Sequence, residues 1–256
     1  MLTEDSGPVL ACPPGRLYGV PAARFAESPA SWFARVALSQ GLTPKQLANH
    51  FDLNPKADID FVLAEGGLAN VLQGCGMAGT TFATAQRVFA GLLQIPSATP
   101  LLLMGTGAEA RVRYCVACLK AMPVPYFFLH WRFDCWQHCP THNCLLRDRC
   151  PHCRAPVLLM PSLVSGGPRR DGVGLLSRCV RCDKSLTAVA STPVGPDFGT
   201  WRLRMLDHGR AVLAALLHGY LRVEGEPGRL PLRTLVNMHR RGLIPCGSAP
   251  WMQAKS

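Results

Sequence analysis

The chain has 256 residues, of which 48% are hydrophobic and 17% charged, and its formal net charge is +11. That is enough apolar material for one large domain or two to three small ones, and the composition excludes wholesale disorder. The longest apolar run, around Val212 to Leu217, is far shorter than the ~18 residues of a membrane span, and Met1-Leu-Thr-Glu-Asp lacks the basic flank and apolar stretch of a secretory signal, so a cytoplasmic protein with no membrane partner is expected.

Residues 1–26 are rich in Pro and Gly (Pro8, Pro13, Pro14, Gly15, Pro21) and read as an extended arm. Ser28-Pro29 then starts a helix, with Ser28 as N-cap and Pro29 at the first helical position. Trp32, Phe33, Val36 and Ala37 fall on one face of it, and Gly41 suits its stop. Thr43-Pro44-Lys45-Gln46 is a capping box for a second helix that buries Leu47, Ala48, Phe51 and Leu53. With a third helix after Asn54-Pro55, the set resembles a helix-turn-helix. Its third helix could enter a DNA groove, but Asp58, Asp60 and Glu65 would repel phosphates. The expectation is therefore a small helical domain whose exposed face meets protein. Another helix is predicted from Thr81 to Leu93, ending before Pro96.

Between Cys115 and Cys182 come three Cys-x-x-Cys pairs and one Cys-x-x-His pair: Cys115/Cys118, Cys139/His142, Cys150/Cys153 and Cys179/Cys182. A gap of two residues lets both side chains of a pair reach one tetrahedral ion at ~2.0–2.3 Å. Eight ligands make two complete four-coordinate sites, which leaves no open position for water and points to two structural Zn²⁺ ions. Twelve cysteines in a chain without a signal fit metal binding in a reducing compartment better than disulfides. In the first site Cys135, His138 and Cys144 lie close enough in sequence to replace Cys139 or His142. Cys12, Cys75 and Cys246 have no partner motif and read as buried or incidental thiols. Tyr126, Phe127, Phe128 and Trp131, between the first two pairs, could stack on nucleobases, but a small metal module needs large apolar residues for its core, and core packing is the better reading.

The stretch from Pro161 to Gly174 is a loop by composition. It brings Arg169 and Arg170 beside Arg178, Arg181 and Lys184, the local candidates for phosphate contact. Residues 201–222 show Leu206, Leu213, Leu217 and Tyr220/Leu221 at helical spacing, with Arg202, Arg204, Arg210 and Arg222 among the polar positions. A shorter helix is expected over about Leu232 to Arg241, with Gly242 as its stop. This pair reads either as a second, basic helix-turn-helix or as a basic hairpin packed on the metal module. Residues 1–110 hold six Lys/Arg against eight Asp/Glu, a net −2, whereas residues 111–256 hold 21 against eight, a net +13. Zinc loading leaves the second half at about +10, a surface suited to phosphate backbones. No phosphate-cradling glycine loop, His-Glu-x-x-His motif or spaced Ser/His/Asp set is present in the sequence, so an enzyme is not expected.

Tyr114-Cys-Val-Ala-Cys-Leu119, Pro125-Tyr126, Trp131-Arg132, Cys139-Pro-Thr-His142, Leu145-Leu146 and Cys150-Pro-His-Cys153 together resemble the TniQ family of target-selection proteins from Tn7-like transposons. Ser31-Trp32 and Asp58-Ile59-Asp60 resemble its N-terminal region, and the likeness covers about residues 15–190. Two positions depart from the family pattern: Val116 stands where Pro is common, and Arg154 where Gly is usual. The elements and charge together lead to an expected mainly α fold with three parts: an N-terminal arm and helix-turn-helix-like domain (1–110), a tandem zinc-finger, zinc-ribbon-like module (111–190) and a C-terminal basic helical region (191–256); the resemblance implies the helix-turn-helix and zinc-finger content. It also implies a non-catalytic adaptor that links a recognised target, either DNA or a guide-RNA CRISPR effector complex, to an AAA+ ATPase regulator of the TnsC/TniB kind and so to the transposase. Such a protein would be bacterial, nucleoid-associated during transposition, and a candidate homodimer. The shorter C-terminal half, compared with members that read DNA directly, fits an adaptor that borrows recognition from a partner. The alternatives are a stand-alone sequence-specific DNA-binding factor and a generic zinc-stabilised interaction module.

Overall fold

The computed structural model of the chain describes residues 16–55, 57–96, 101–104, 110–159, 175–194, 199–222 and 228–241. These are mostly helical, with a few very short strands.

Helix α1 (Pro29–Ser39) begins where its sequence says it should: Ser28 Oγ accepts from Ser31 N, and Pro29 fills the first turn. It ends at Gly41, whose φ of +66° lets Leu42 N reach back to Ala37 O and Gly41 N to Leu38 O. Trp32, Phe33, Val36 and Ala37 are all buried. In α2 (Pro44–His50) the capping box is complete, with Thr43 N donating to Gln46 Oε1 at 2.8 Å and Gln46 N to Thr43 Oγ1 at 3.2 Å. Leu47 and Ala48 are buried beneath it, while Phe51 and Leu53 are half-buried. The third predicted helix is broken into α3 (Ile59–Val62), a π turn (Leu63–Gly67) and α4 (Leu68–Gly74), because Gly66 adopts φ +127° between them. Helix α5 (Ala83–Leu93) follows.

Of the acidic stretch, Glu65 is exposed, but Asp58 and Asp60 are not the exposed face that their charges imply. Asp60 is fully buried; its carboxyl accepts from Ser28 Oγ at 2.9 Å and Ala30 N at 2.8 Å, and its backbone N–H donates to Asp58 Oδ1 at 3.1 Å. Both Asp58 and Asp60 turn toward Arg132, a fully buried guanidinium more than 70 residues away in the chain. Arg132 Nε lies 3.2 Å from Asp60 Oδ2, its NH2 nitrogen bonds Asp58, and NH1 donates to Arg111 O at 2.8 Å. A lone buried charge is costly, so these three side chains hold one another in place. They tie α3 to the segment between the first two cysteine pairs. A backbone ladder reinforces the tie: Ser28 N donates to Phe127 O at 2.9 Å, and Leu129 N to Ala26 O at 2.8 Å.

Helix α7 (Gly199–His218) closes the molecule by crossing α5 so tightly that a Cβ on Gly91 would stand 2.4 Å from Leu216 O. On another side a Cβ on Gly209 would meet Trp136 Cε3 at 2.6 Å. The helix stops four residues earlier than its periodicity predicts, because Gly219 takes φ +81°. The chain then forms a two-stranded ribbon, β3 (Tyr220–Leu221) against β4 (Leu230–Pro231), and α8 (Thr234–Arg240). Buried residues from Ala30 to Met238 belong to one connected hydrophobic cluster. No helix among the described residues is long and apolar enough to cross a membrane.

Candidate metal centres

The first centre is assembled from a helix start and a hairpin. Cys115 is the N-cap of α6 (Val116–Ala121), and its Sγ accepts from Cys118 N at 3.4 Å, which sets both thiols on one turn. Cys139 ends β1 (His138–Cys139), and His142 sits in the turn that leads to β2 (Cys144–Leu145). Asn143 closes that turn at φ +47°, a conformation Asn tolerates well. The four donors converge: Cys118 Sγ lies 3.6 Å from Cys139 Sγ and 3.2 Å from His142 Nδ1, and Cys115 and Cys139 each lie 3.6 Å from that nitrogen. Hydrogen bonding from Cys118, then Cys139, holds the Cys115 thiol well below the usual thiol range.

The second centre is built from two copies of one turn. Cys150 N donates to Ala155 O at 2.8 Å and Arg154 N to Cys150 O at 3.1 Å; Cys179 N donates to Lys184 O at 2.9 Å and Asp183 N to Cys179 O at 2.7 Å. In each copy the residue after the second cysteine is left-handed, Arg154 at φ +61° and Asp183 at φ +54°. The copies face each other so that Cys150 Sγ is 3.7 Å from Cys182 Sγ and Cys153 Sγ is 3.6 Å from Cys179 Sγ.

Both sets fit a tetrahedral ion. A tetrahedron with ~2.3 Å metal–sulfur bonds has edges of roughly 3.8 Å, and in each set all four donor atoms lie within 4.8 Å of one another. Among the described residues, two groups could hold a metal: Cys115, Cys118, Cys139 and His142, and Cys150, Cys153, Cys179 and Cys182. The alternative ligands fall elsewhere. Cys135 is buried, and burial pushes its thiol up to about 12. His138 is buried with Nε2 3.2 Å from Asn143 Oδ1. Cys144 comes nearest, its Sγ 3.5 Å from Cys115 Sγ, outside the compact set of four. Cys75 is buried, which pushes its thiol up to about 11, while Cys12 and Cys246 lie outside the described residues. Phe127 and Trp131 are buried in the core, and Tyr126 and Phe128 are half-buried.

Of the basic candidates, Arg169 and Arg170 lie outside the described residues. Arg178 is engaged by Asp183 through two hydrogen bonds of 2.9 Å, and Arg181 and Lys184 are exposed on the last turn. Spacing alone missed Arg132, whose partners are remote in sequence. It also missed the β3–β4 ribbon, where Arg222 had read as the polar side of a helix; Gly219 was the signal for it.

Set beside known proteins, residues 20–146 match the TniQ family model. No curated protein matches the chain.

Proposed function

The chain belongs to the TniQ family over residues 20–146, a family of non-catalytic proteins with a target-selection role in transposition, and from that match we propose that it is a target-selection adaptor. It links a recognised target, DNA or an RNA-guided CRISPR effector complex, to an AAA+ ATPase regulator of the TnsC/TniB kind, and through it to the transposase. The family match is the observation that carries this reading. Helices α1, α2 and the α3–α4 segment form its helix-turn-helix-like unit, and the paired cysteine turns its zinc-ribbon-like unit. Both centres hold Zn²⁺, because soft thiolates and one imidazole in a closed four-donor shell suit that ion and leave no position for a reacting water. Cys115, Cys118, Cys139 and His142 bind one ion and Cys150, Cys153, Cys179 and Cys182 the other. In this role zinc fixes the fold and supplies no chemistry.

The near-neutral N-terminal half is the side for the ATPase. Phe25 stands 71% exposed there, at the rim of a hollow of about 260 Å³ lined by Arg24, Glu27, Thr81 and Phe82. Aromatic residues, Phe among them, are enriched at protein interfaces. The basic half faces nucleic acid, and its charge is the observation that favours the second reading, a DNA-binding factor that works alone. In a pull-down, the tagged protein should retain an AAA+ ATPase of the TnsC/TniB kind, and Phe25→Ala should lower retention roughly tenfold without changing the melting temperature. Failure of the unaltered protein to retain any such ATPase would sink the adaptor reading. A DNA footprint of the purified protein that survives ~200 mM salt would instead establish the stand-alone one.

A further inference from the structure

Among the described residues, the C-terminal segment carries positive charge that Asp207 alone of its own carboxylates offsets. Strands β3 and β4 pair Tyr220 with Pro231 and Leu221 with Leu230. Carried one residue further, that register sets Arg222 across from Arg229, on the same side of the ribbon as Tyr220 because side chains alternate. The contacts agree: the guanidinium of Arg229 lies 4.4 Å from the Tyr220 ring centroid and that of Arg222 lies 5.8 Å from it. Like charges directly opposite one another destabilise a ribbon, and here an exposed pair is steadied by a tyrosine face. Leu221, on the other side, is buried.

Helix α8, which follows β4, adds further exposed cations. Leu232, Leu235, Val236 and Met238 turn inward. His239 Nδ1 lies 3.2 Å from His208 Nε2 on α7, and its Nε2 lies 3.6 Å from Asp134. With that face fixed, Arg233, Asn237, Arg240 and Arg241 form an exposed stripe at positions i, i+4, i+7 and i+8. Within the described residues of this segment the one carboxylate is Asp207, which bonds Arg210 at 3.5 Å; Glu224 and Glu226 lie outside the described residues. Arg222, Arg229, Arg233, Arg240 and Arg241 make no ion pair with any described residue.

We propose that the ribbon and the outer face of α8 form a nucleic-acid-binding surface that grips the phosphodiester backbone, with Arg222 and Arg229 on one side and Arg240 and Arg241 on the other. The guanidinium fork matches phosphate oxygens two at a time. Arg233 and Arg240 stand about 10 Å apart along the helix, close to the ~12 Å width of a duplex groove. This inference rests on the reading that the basic half faces nucleic acid, and it moves the contact away from the arginines of the second centre to the C-terminal ribbon.

The test is fluorescence anisotropy of a labelled ~30-bp duplex of arbitrary sequence titrated with the metal-loaded protein across a salt series. R222Q/R229Q and R240Q/R241Q should each weaken binding roughly tenfold and lower the salt slope by about 2, one unit per lost phosphate contact. R181Q/K184Q, on the second centre, should bind as the unaltered protein does. The two arginine pairs lie on different elements, and circular dichroism checks that each variant is folded. If the unaltered protein binds no duplex, the nucleic-acid part of the proposed function fails and this surface with it. If it binds and the ribbon and helix variants bind equally well, this surface alone is overturned. Displacement of the duplex by polyglutamate at equal charge would assign the surface to an acidic protein and overturn it as well.

Discussion

Arg154 holds its backbone at φ +61°, where a β-carbon crowds the carbonyl that follows. The turn uses this conformation to redirect the chain after Arg154, so that Ala155 O comes back to accept from Cys150 N at 2.8 Å. Asn143 and Asp183 meet the same demand in their turns with side chains that visit this region readily. Arg154→Gly should therefore raise stability by about 0.5–1 kcal/mol, the relief of strain exceeding the extra freedom of glycine in the unfolded chain. Denaturant melts of the metal-loaded variant check it, and an unchanged midpoint would show that the position is unstrained.

Asp60 makes a second residue-level case. Burial pushes its carboxyl up to about 6 from an ordinary 3.8, although Arg132 pulls it the other way. With two carboxylates and one guanidinium in the cluster, the native state keeps a proton on Asp60 over a pH range where the unfolded chain has released it. The folded-state value is the higher one, so the stability Asp60 contributes is greatest at low pH and declines as pH rises from about 4 through about 6. Asp60→Asn should remove that slope. Melting temperatures between pH 5 and 7 should fall with pH more steeply in the unaltered protein than in the variant, and parallel curves would assign the slope to other groups.

At the scale of elements, α7 decides the architecture. Its contact with α5 at Gly91 leaves no space for a side chain, since Leu216 O occupies the place of a Cβ. Backbone cannot move aside as a flexible side chain can, so Gly91→Ala should cost about 1–3 kcal/mol, read as a lower thermal midpoint. A neutral result would mean that the two helices separate easily. Elements with local signals were legible in the sequence. Ser28-Pro29 and Thr43-x-x-Gln46 satisfy orphan N–H groups within their own turn, and they mark the starts of α1 and α2 correctly. The broken third helix was not legible, because Gly66-Gly67 kinks it to fit beneath Leu53, a contact that no local spacing encodes. The end of α7 was legible only in Gly219, which the apolar periodicity overrode.

At the scale of the whole molecule, the converging cysteine and histidine sets were readable for a similar reason: a two-residue gap is a local device, and four such devices in tandem leave few ways to combine. The fate of the acids was not readable. Asp58 and Asp60 look like an exposed acidic face until Arg132 arrives from elsewhere in the chain, so net charge by halves misplaces them. Because Cys115, Cys139, Cys150 and Cys179 lie inside the same hydrophobic cluster as the helices, loss of metal should be felt throughout. Elemental analysis should find close to two zinc ions per chain. A chelator should lower stability by several kcal/mol, and Cys150→Ser should retain one ion and melt earlier. Iron in place of zinc, or a melting curve indifferent to chelation, would refute the assignment.

The buried Arg132 cluster and the ladder from Ala26 to Leu129 have one more consequence. They fasten the helices that precede the cysteine turns to the segment that carries them, and α7 fastens the far end back onto α5. The described residues from Ala26 to Leu216 are thus linked by packed contacts. For the proposed partners at Phe25 and on the ribbon, side-chain packing, as on a gauge block, and not the reach of a tether, would set the offset between them.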